Sequence, residues 1–351
     1  MPSLSKGTSA VRAIFSLDVI TAALAFLVFA LAVVIVITRV ANGRIRSFER
    51  KTKSSNTGEV TPLKTTLSTH LFLIPAVFCL AVSYAVQSAV VTYELHRNSP
   101  VSITSTFNYQ YAGAPSSSAS PPNGRRISIL TFTQQLAAIL STTFLTGAIW
   151  LHSSNLTSNG TQAASPKTTS RIWNSFIITA IAAFGIAAWA LGLTVRGSGQ
   201  NALTFPSTIT QDRITRIIYI VFRCVVVFSS TSVSIQVLTN YKNLKANGLP
   251  QNSERPLLAR FSFVVVPLIW LRNIFIIVNI VMIYENVSNW SSTTNQALTF
   301  LFIIFGQFTN LTILFMVLWG AWSMGRSAGL SGGSNKNKNR NNDSGSSYTD
   351  A

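Results

Sequence analysis

Residues 14–53 read IFSLDVITAALAFLVFALAVVIVITRVANGRIRSFERKTK. Between Ile14 and Thr38 a single ionisable side chain, Asp18, interrupts the apolar text. A helix needs about 20 apolar residues to cross a bilayer, and this stretch is long enough. It is also longer than the apolar region of a signal peptide, which runs to roughly 15 residues. Its cations, Arg39, Arg44, Arg46, Arg50, Lys51 and Lys53, follow the apolar run rather than precede it. Basic flanks stay in the cytoplasm. The segment therefore reads as a retained span that enters the membrane from outside.

Six further stretches have the same character: Leu67–Thr92, Ile127–Leu151, Trp173–Val195, Ile214–Leu238, Phe261–Tyr284 and Ala297–Trp322. The chain is 48% hydrophobic and only 10% charged, where soluble domains carry about 25% charged residues. Backbone amides inside hydrocarbon have no water to bond, so each stretch must be helical. The short alternating segments of a β-barrel are missing. The expected fold is all-α: a seven-transmembrane-helix bundle over residues 14–326, an extracellular N-terminus at 1–13 and a disordered cytoplasmic tail at 327–351.

The loops fix the orientation. Seventeen Lys and Arg fall on one side: Arg39 to Lys64, Lys167 and Arg171, Lys242 to Arg260, and Arg326 to Arg340. Eight fall on the other: Lys6, Arg12, Arg97, Arg125, Arg126, Arg196, Arg213 and Arg216. The cation-rich side is cytoplasmic, with the N-terminus outside and the tail inside. The net charge of +18 is thus mostly membrane-surface charge, and a nucleic-acid partner is excluded for want of a basic soluble domain. The loop Arg39–Thr66 lies against the inner leaflet, where each cation can add about 1 kcal/mol of attraction to anionic lipid. Glycosylation sequons at Asn286 and Asn289 fall in an outer loop, as they should. Those at Asn155 and Asn159 fall in a loop the charges place inside.

No catalytic, cofactor or metal site is expected. His70 and His152 sit at inner ends of their spans and His96 beyond an outer end, so the three histidines do not converge. Cys79 and Cys224 lie within spans and read as packing residues. The informative residues are polar ones inside the membrane, where an unpaired charge is expensive. Asp18, Arg223 and Arg272 are the ionisable candidates. Gln87, Gln135, Asn273, Asn279, Gln307 and Asn310 are the amides around them. At about 1.5 Å per residue, Asp18 lies about 6 Å below the outer surface, Arg223 about 13 Å, and Arg272 about 18 Å from either surface. Asp18 reaches Arg223 only if spans one and five are neighbours. One cation is therefore short of a protein anion, and an anionic amphiphile from the outer leaflet could supply it. The bland reading gives these groups to helix glue: Asp18 facing the headgroups, Arg223 snorkelling outward, Arg272 on backbone carbonyls. Pro75 and Pro267 are expected to kink spans two and six. Small residues of span four, Ala180, Ala183, Gly185, Ala187, Ala188 and Gly192, predict a close-packing face.

Seven spans, an outside N-terminus, basic inner loops and a cytoplasmic tail resemble the architecture of G-protein-coupled-receptor-like proteins over the whole chain. The motifs do not follow: span three ends Ala148-Ile149-Trp150-Leu151-His152, span seven reads Asn310-Leu311-Thr312, and span seven has no lysine for a retinal. The segment from Pro267 to Leu271 and Arg272 looks like that of uncharacterised seven-helix membrane proteins of fungi, which carries no activity with it. The receptor-like topology leads to the expectation of a plasma-membrane protein sensing an extracellular or membrane-borne ligand, with the bilayer and a cytosolic signalling protein as partners, and the unpaired arginine adds an anionic amphiphile to them. A transporter or lipid-translocating protein, and a non-catalytic membrane scaffold, are the alternatives. The orientation is open to direct measurement. A reporter fused after Ala351 is expected in the cytoplasm and one before Met1 outside; glycans on Asn155 or Asn159 would contradict this arrangement.

Overall fold

The computed structural model describes residues 9–51, 62–96, 124–160, 168–197, 205–246, 255–284, 297 and 300–338. All secondary structure among them is helical. We number the helices α1 (Ser9–Lys51), α2 (Pro62–His96), α3 (Gly124–Gly160), α4 (Thr168–Gly197) and α5 (Phe205–Ala246). Helix α6 runs through Arg255–Arg260, a π turn at Phe261–Val265, and Val266–Tyr284. Helix α7 includes a π turn at Ile303–Phe308 and continues as Thr309–Lys338. The sequons at Asn286 and Asn289 lie outside the described residues.

Each helix contains one stretch long and apolar enough to cross a membrane: Arg12–Thr38, Thr69–Thr92, Ile129–Ser154, Ile172–Leu193, Arg213–Asn243, Pro256–Val281 and Phe300–Ser323. The exteriors agree. Leu71 is 72% exposed, Phe263 67% and Phe228 66%, and many Ile, Val and Trp join them. Monomeric soluble proteins rarely expose contiguous apolar patches larger than a few hundred Å². A lipid-facing surface satisfies these side chains, and the chain is an integral multi-pass membrane protein.

Helix α2 packs against α1, α3 and α7, while α3 also meets α4, α5, α6 and α7. Span three is the most enclosed of the seven and span four the least. The main core lies where α1, α2, α3, α5, α6 and α7 converge, around Leu73, Leu80, Leu145, Ile149, Ile269, Ile313 and Leu314. A separate cluster, Ile139, Ile181, Phe222, Val226 and Ile276, joins α3, α4, α5 and α6.

Lipid tails are as apolar as leucine, so close approach and dispersion hold helices together rather than the hydrophobic effect. Glycines mark the tightest seams. A Cβ on Gly147 would lie 2.5 Å from Phe72 Cδ1, and one on Gly320 2.6 Å from His152 Nε2. On α4 the buried face is Ile181, Gly185 and Ala188, spaced by four and three residues, whereas Ala183 is exposed. The close-packing face is therefore narrower than the run of small residues suggested. Trp189 clamps the same side by donating from Nε1 to the carbonyl of Phe132 at 3.0 Å.

Pro267 is handled differently from the expected simple kink. The π turn ends immediately before it, with Val266 N–H bonding to the carbonyl of Phe261. A proline ring collides with the carbonyl four residues back in an α-helix. The wider turn relieves that collision, and Pro267 itself faces outward. Pro75 sits inside α2, whose helix continues on both sides of it. Beyond the last span, α7 stays helical through Lys338, into the segment expected to be a disordered tail. Extending a formed helix needs no new nucleus.

Two glycines of α4 separate packing from propensity. A Cβ on Gly185 would lie 2.5 Å from Ile139 Cγ2 and 3.1 Å from Phe222 Cε2, whereas one on Gly192 meets nothing within 4 Å. Gly185→Ala should lower stability by about 1–3 kcal/mol. Gly192→Ala should leave it unchanged or raise it by up to about 1 kcal/mol. Thermal unfolding of the purified protein in detergent distinguishes them.

Candidate functional site: two polar layers inside the bundle

Polar side chains collect in layers rather than in one pocket. The first layer is built around Asp18, which is fully buried in α1. Gln87 of α2 and Gln307 of α7 are the side chains that interact with its carboxyl. Both contacts fall outside good hydrogen-bond geometry, so neither carboxyl oxygen has a formal partner. Gln134 of α3 donates from Nε2 to Gln87 Oε1 at 3.2 Å. Gln307 Oε1 is buried with no partner. One turn further along α7, Asn310 Oδ1 is in the same condition.

Chain direction places all four members at one end of the bundle. Asp18, Gln87, Gln134 and Gln307 lie roughly 8–11 Å from the span ends Arg12, Thr92, Ile129 and Phe300, at about 1.5 Å per residue. The π turn of α7 contains Gln307, and such turns are common at functional positions. Asp18 thus faces α2 and α7. The approach to Arg223 considered from sequence is not made, because Gln87 and Gln307 occupy the surroundings of the carboxyl.

The second layer joins α5 and α6. Arg272 is 3% exposed, and its Nη1 has no hydrogen-bond partner. Its charged neighbour is another cation, Arg223. The two lie roughly 14–15 Å from Val281 and Arg213 respectively, at about 1.5 Å per residue, so they share a depth. Arg223 donates from Nε to the hydroxyl of Tyr219 at 2.7 Å and lies 5.0 Å from the centre of that ring. Tyr219 is one helical turn N-terminal on α5, so the arginine lies along its own helix over an aromatic face.

Asn273 is helix glue. Its Oδ1 accepts from Ser230 Oγ at 2.9 Å and its Nδ2 donates to Thr231 Oγ1 at 3.0 Å. It does not turn back to a carbonyl freed by Pro267. Asn279, two turns from Arg272 on the same helix, is buried. The five candidates therefore divide: Arg272 and Arg223 are electrostatic neighbours across α6 and α5, Asn279 lies on α6 with Arg272, Asp18 belongs to the other layer, and Asn310 lies one turn beyond Gln307 on α7.

Sequence reasoning chose Gln135 and passed over Gln134. Gln135 is only half-buried, while Gln134 shares the buried face of α3 with Thr131 and Ser141. Helical spacing to those two polar neighbours was the available signal. At the opposite end of the bundle, His70 and His152 are both buried and interact electrostatically. Among the described residues no group of three or more His, Cys, Asp or Glu comes together.

No protein-family model, curated protein or solved structure matches the chain. The likeness to receptor-like and fungal seven-helix proteins thus rests on topology and the short segment around Arg272 alone.

The glue role of Asn273 has a measurable size. Asn273→Leu should lower stability by about 1 kcal/mol, as interhelical hydrogen bonds in membranes usually contribute. The loss stays modest because Ser230 Oγ keeps its bond to the carbonyl of Val226 at 2.8 Å. Unfolding in a denaturing detergent titration reads it.

Proposed function

We propose that this chain is a receptor-like membrane protein that senses an anionic, membrane-borne amphiphile and passes a conformational change to its cytoplasmic side. The observation that carries the reading is Arg272: a guanidinium 3% exposed, with Nη1 unpartnered and a second arginine as its charged neighbour. An ionised group inside hydrocarbon needs a partner of opposite charge or a set of carbonyls. A carboxylate or phosphate headgroup would offer both charge and two-point geometry, which guanidinium matches well. Arg223, part-buried against Tyr219, stands at the same depth and adds charge.

Transmission is supported by the helix that carries Arg272. The π turn at Phe261–Val265 lies between Arg272 and the inner end of α6, and it is followed by Pro267. Such irregular turns are places where a helix can change its winding. Phe275 of α6 stacks on Phe305 in the π turn of α7, at 4.8 Å between ring centres. A shift at Arg272 therefore acts on two irregular helices at once. The cytosolic partner of this proposal would meet the inner ends of α6 and α7.

Arg272→Met is the decisive variant. Wild-type protein in detergent should gain thermal stability from a long-chain fatty acid or an anionic phospholipid. The variant should fold, by circular dichroism, and lose most of that gain. Hydrogen exchange at the inner ends of α6 and α7 should change on ligand addition in the wild type only. An equal gain in both proteins rejects the site. Amphiphile flux in proteoliposomes without an exchange change would favour the translocating alternative.

A further inference from the structure

The Asp18 layer has no part in that proposal, and its chemistry is different. Asp18 is fully buried, roughly 9 Å inside the span end at Arg12. The side chains around its carboxyl, Gln87 and Gln307, are neutral amides. Both carboxyl oxygens and Gln307 Oε1 are buried without a hydrogen-bond partner. Gln87 is held in place by the bond from Gln134. Four helices, α1, α2, α3 and α7, thus converge on a buried centre that holds one carboxyl group and its amide neighbours.

We propose that this centre binds a small monovalent cation of the sodium class, held by both carboxyl oxygens of Asp18 and the amide oxygen of Gln307. The charge fits, since one carboxylate neutralises one positive charge and leaves no net charge in the hydrocarbon. Calcium and magnesium ask for more: six to eight oxygens with several carboxylates, or a rigid octahedron. Softer metals favour imidazole and thiolate ligands, which the described surroundings of Asp18 lack. A hard cation also gives three unsatisfied oxygens a partner in one step. The π turn at Ile303–Phe308 belongs to the site, because it carries Gln307. Cation binding would clasp α7 to α1 and α2.

The test uses full-length protein in detergent and its thermal unfolding, followed by tryptophan fluorescence. Stability should rise and saturate with sodium chloride, and choline chloride at equal ionic strength should not reproduce the rise. Asp18→Asn should abolish the response. Gln307→Leu should shift its midpoint about tenfold or more, the scale on which metal sites respond to lost supporting groups. Gln135→Leu, on the neighbouring half-buried position, should leave it unchanged. If Asp18→Asn does not fold, the Gln307→Leu midpoint decides. Arg272→Met should keep the sodium response, so this site and the amphiphile site fail or stand separately. The proposal is overturned by a wild type indifferent to sodium, or by a full response in either variant. A stabilisation produced by acid and insensitive to sodium would also overturn it, because a proton would then be the occupant.

Discussion

A polar atom carried into hydrocarbon must find its partner inside the protein, because no water is there to serve. Much of this bundle obeys that constraint. Serine and threonine hydroxyls mostly turn back to the carbonyl one turn earlier, as Thr21 does to Leu17 and Ser230 to Val226. Larger polar groups cannot do so and are drawn to helix junctions. Asp18 and its amides gather where α1, α2, α3 and α7 meet. The arginines and Asn273 gather where α5 meets α6. The histidine pair occupies the opposite end, with Gly320 leaving room for the His152 ring.

Packing obeys the same logic in apolar terms. Helices that gain nothing from leaving lipid must gain from fit. Rings of Phe72, Phe222 and His152 press into glycine positions on neighbouring helices, and Trp189 adds a directional bond from α4 to α3. Where such contacts thin out, as along α4, the helix is open to lipid on most of its surface.

Helix number and approximate span limits were legible in the sequence because they depend on length and apolarity alone. The seven described spans differ from the apolar runs by a few residues at most ends. Which polar residue meets which was less legible. Depth can be counted along one helix, which is how Arg223 is placed nearer to one end of its span than to the middle. Azimuth cannot be counted in the same way when the period is broken. The π turns at Phe261–Val265 and Ile303–Phe308 shift the facing of every residue beyond them, so Gln307 and Asn310 could not be assigned a neighbour. Gln134 and Gln135 illustrate the same difficulty in an unbroken helix: adjacent residues point about 100° apart. Only helix packing chose between them.

The two π turns have a consequence in the language of sequence change. Each inserts one residue into an otherwise regular helix, displacing the downstream residues by about 100° around the axis and about 1.5 Å along it. Deleting one residue within 303–308 would therefore return α7 to regular winding, with the faces on either side still in register. Deleting one anywhere else in the span would rotate half of the helix out of its seam. Length variation in this bundle is thus tolerable at two short addresses, and one of them holds Gln307.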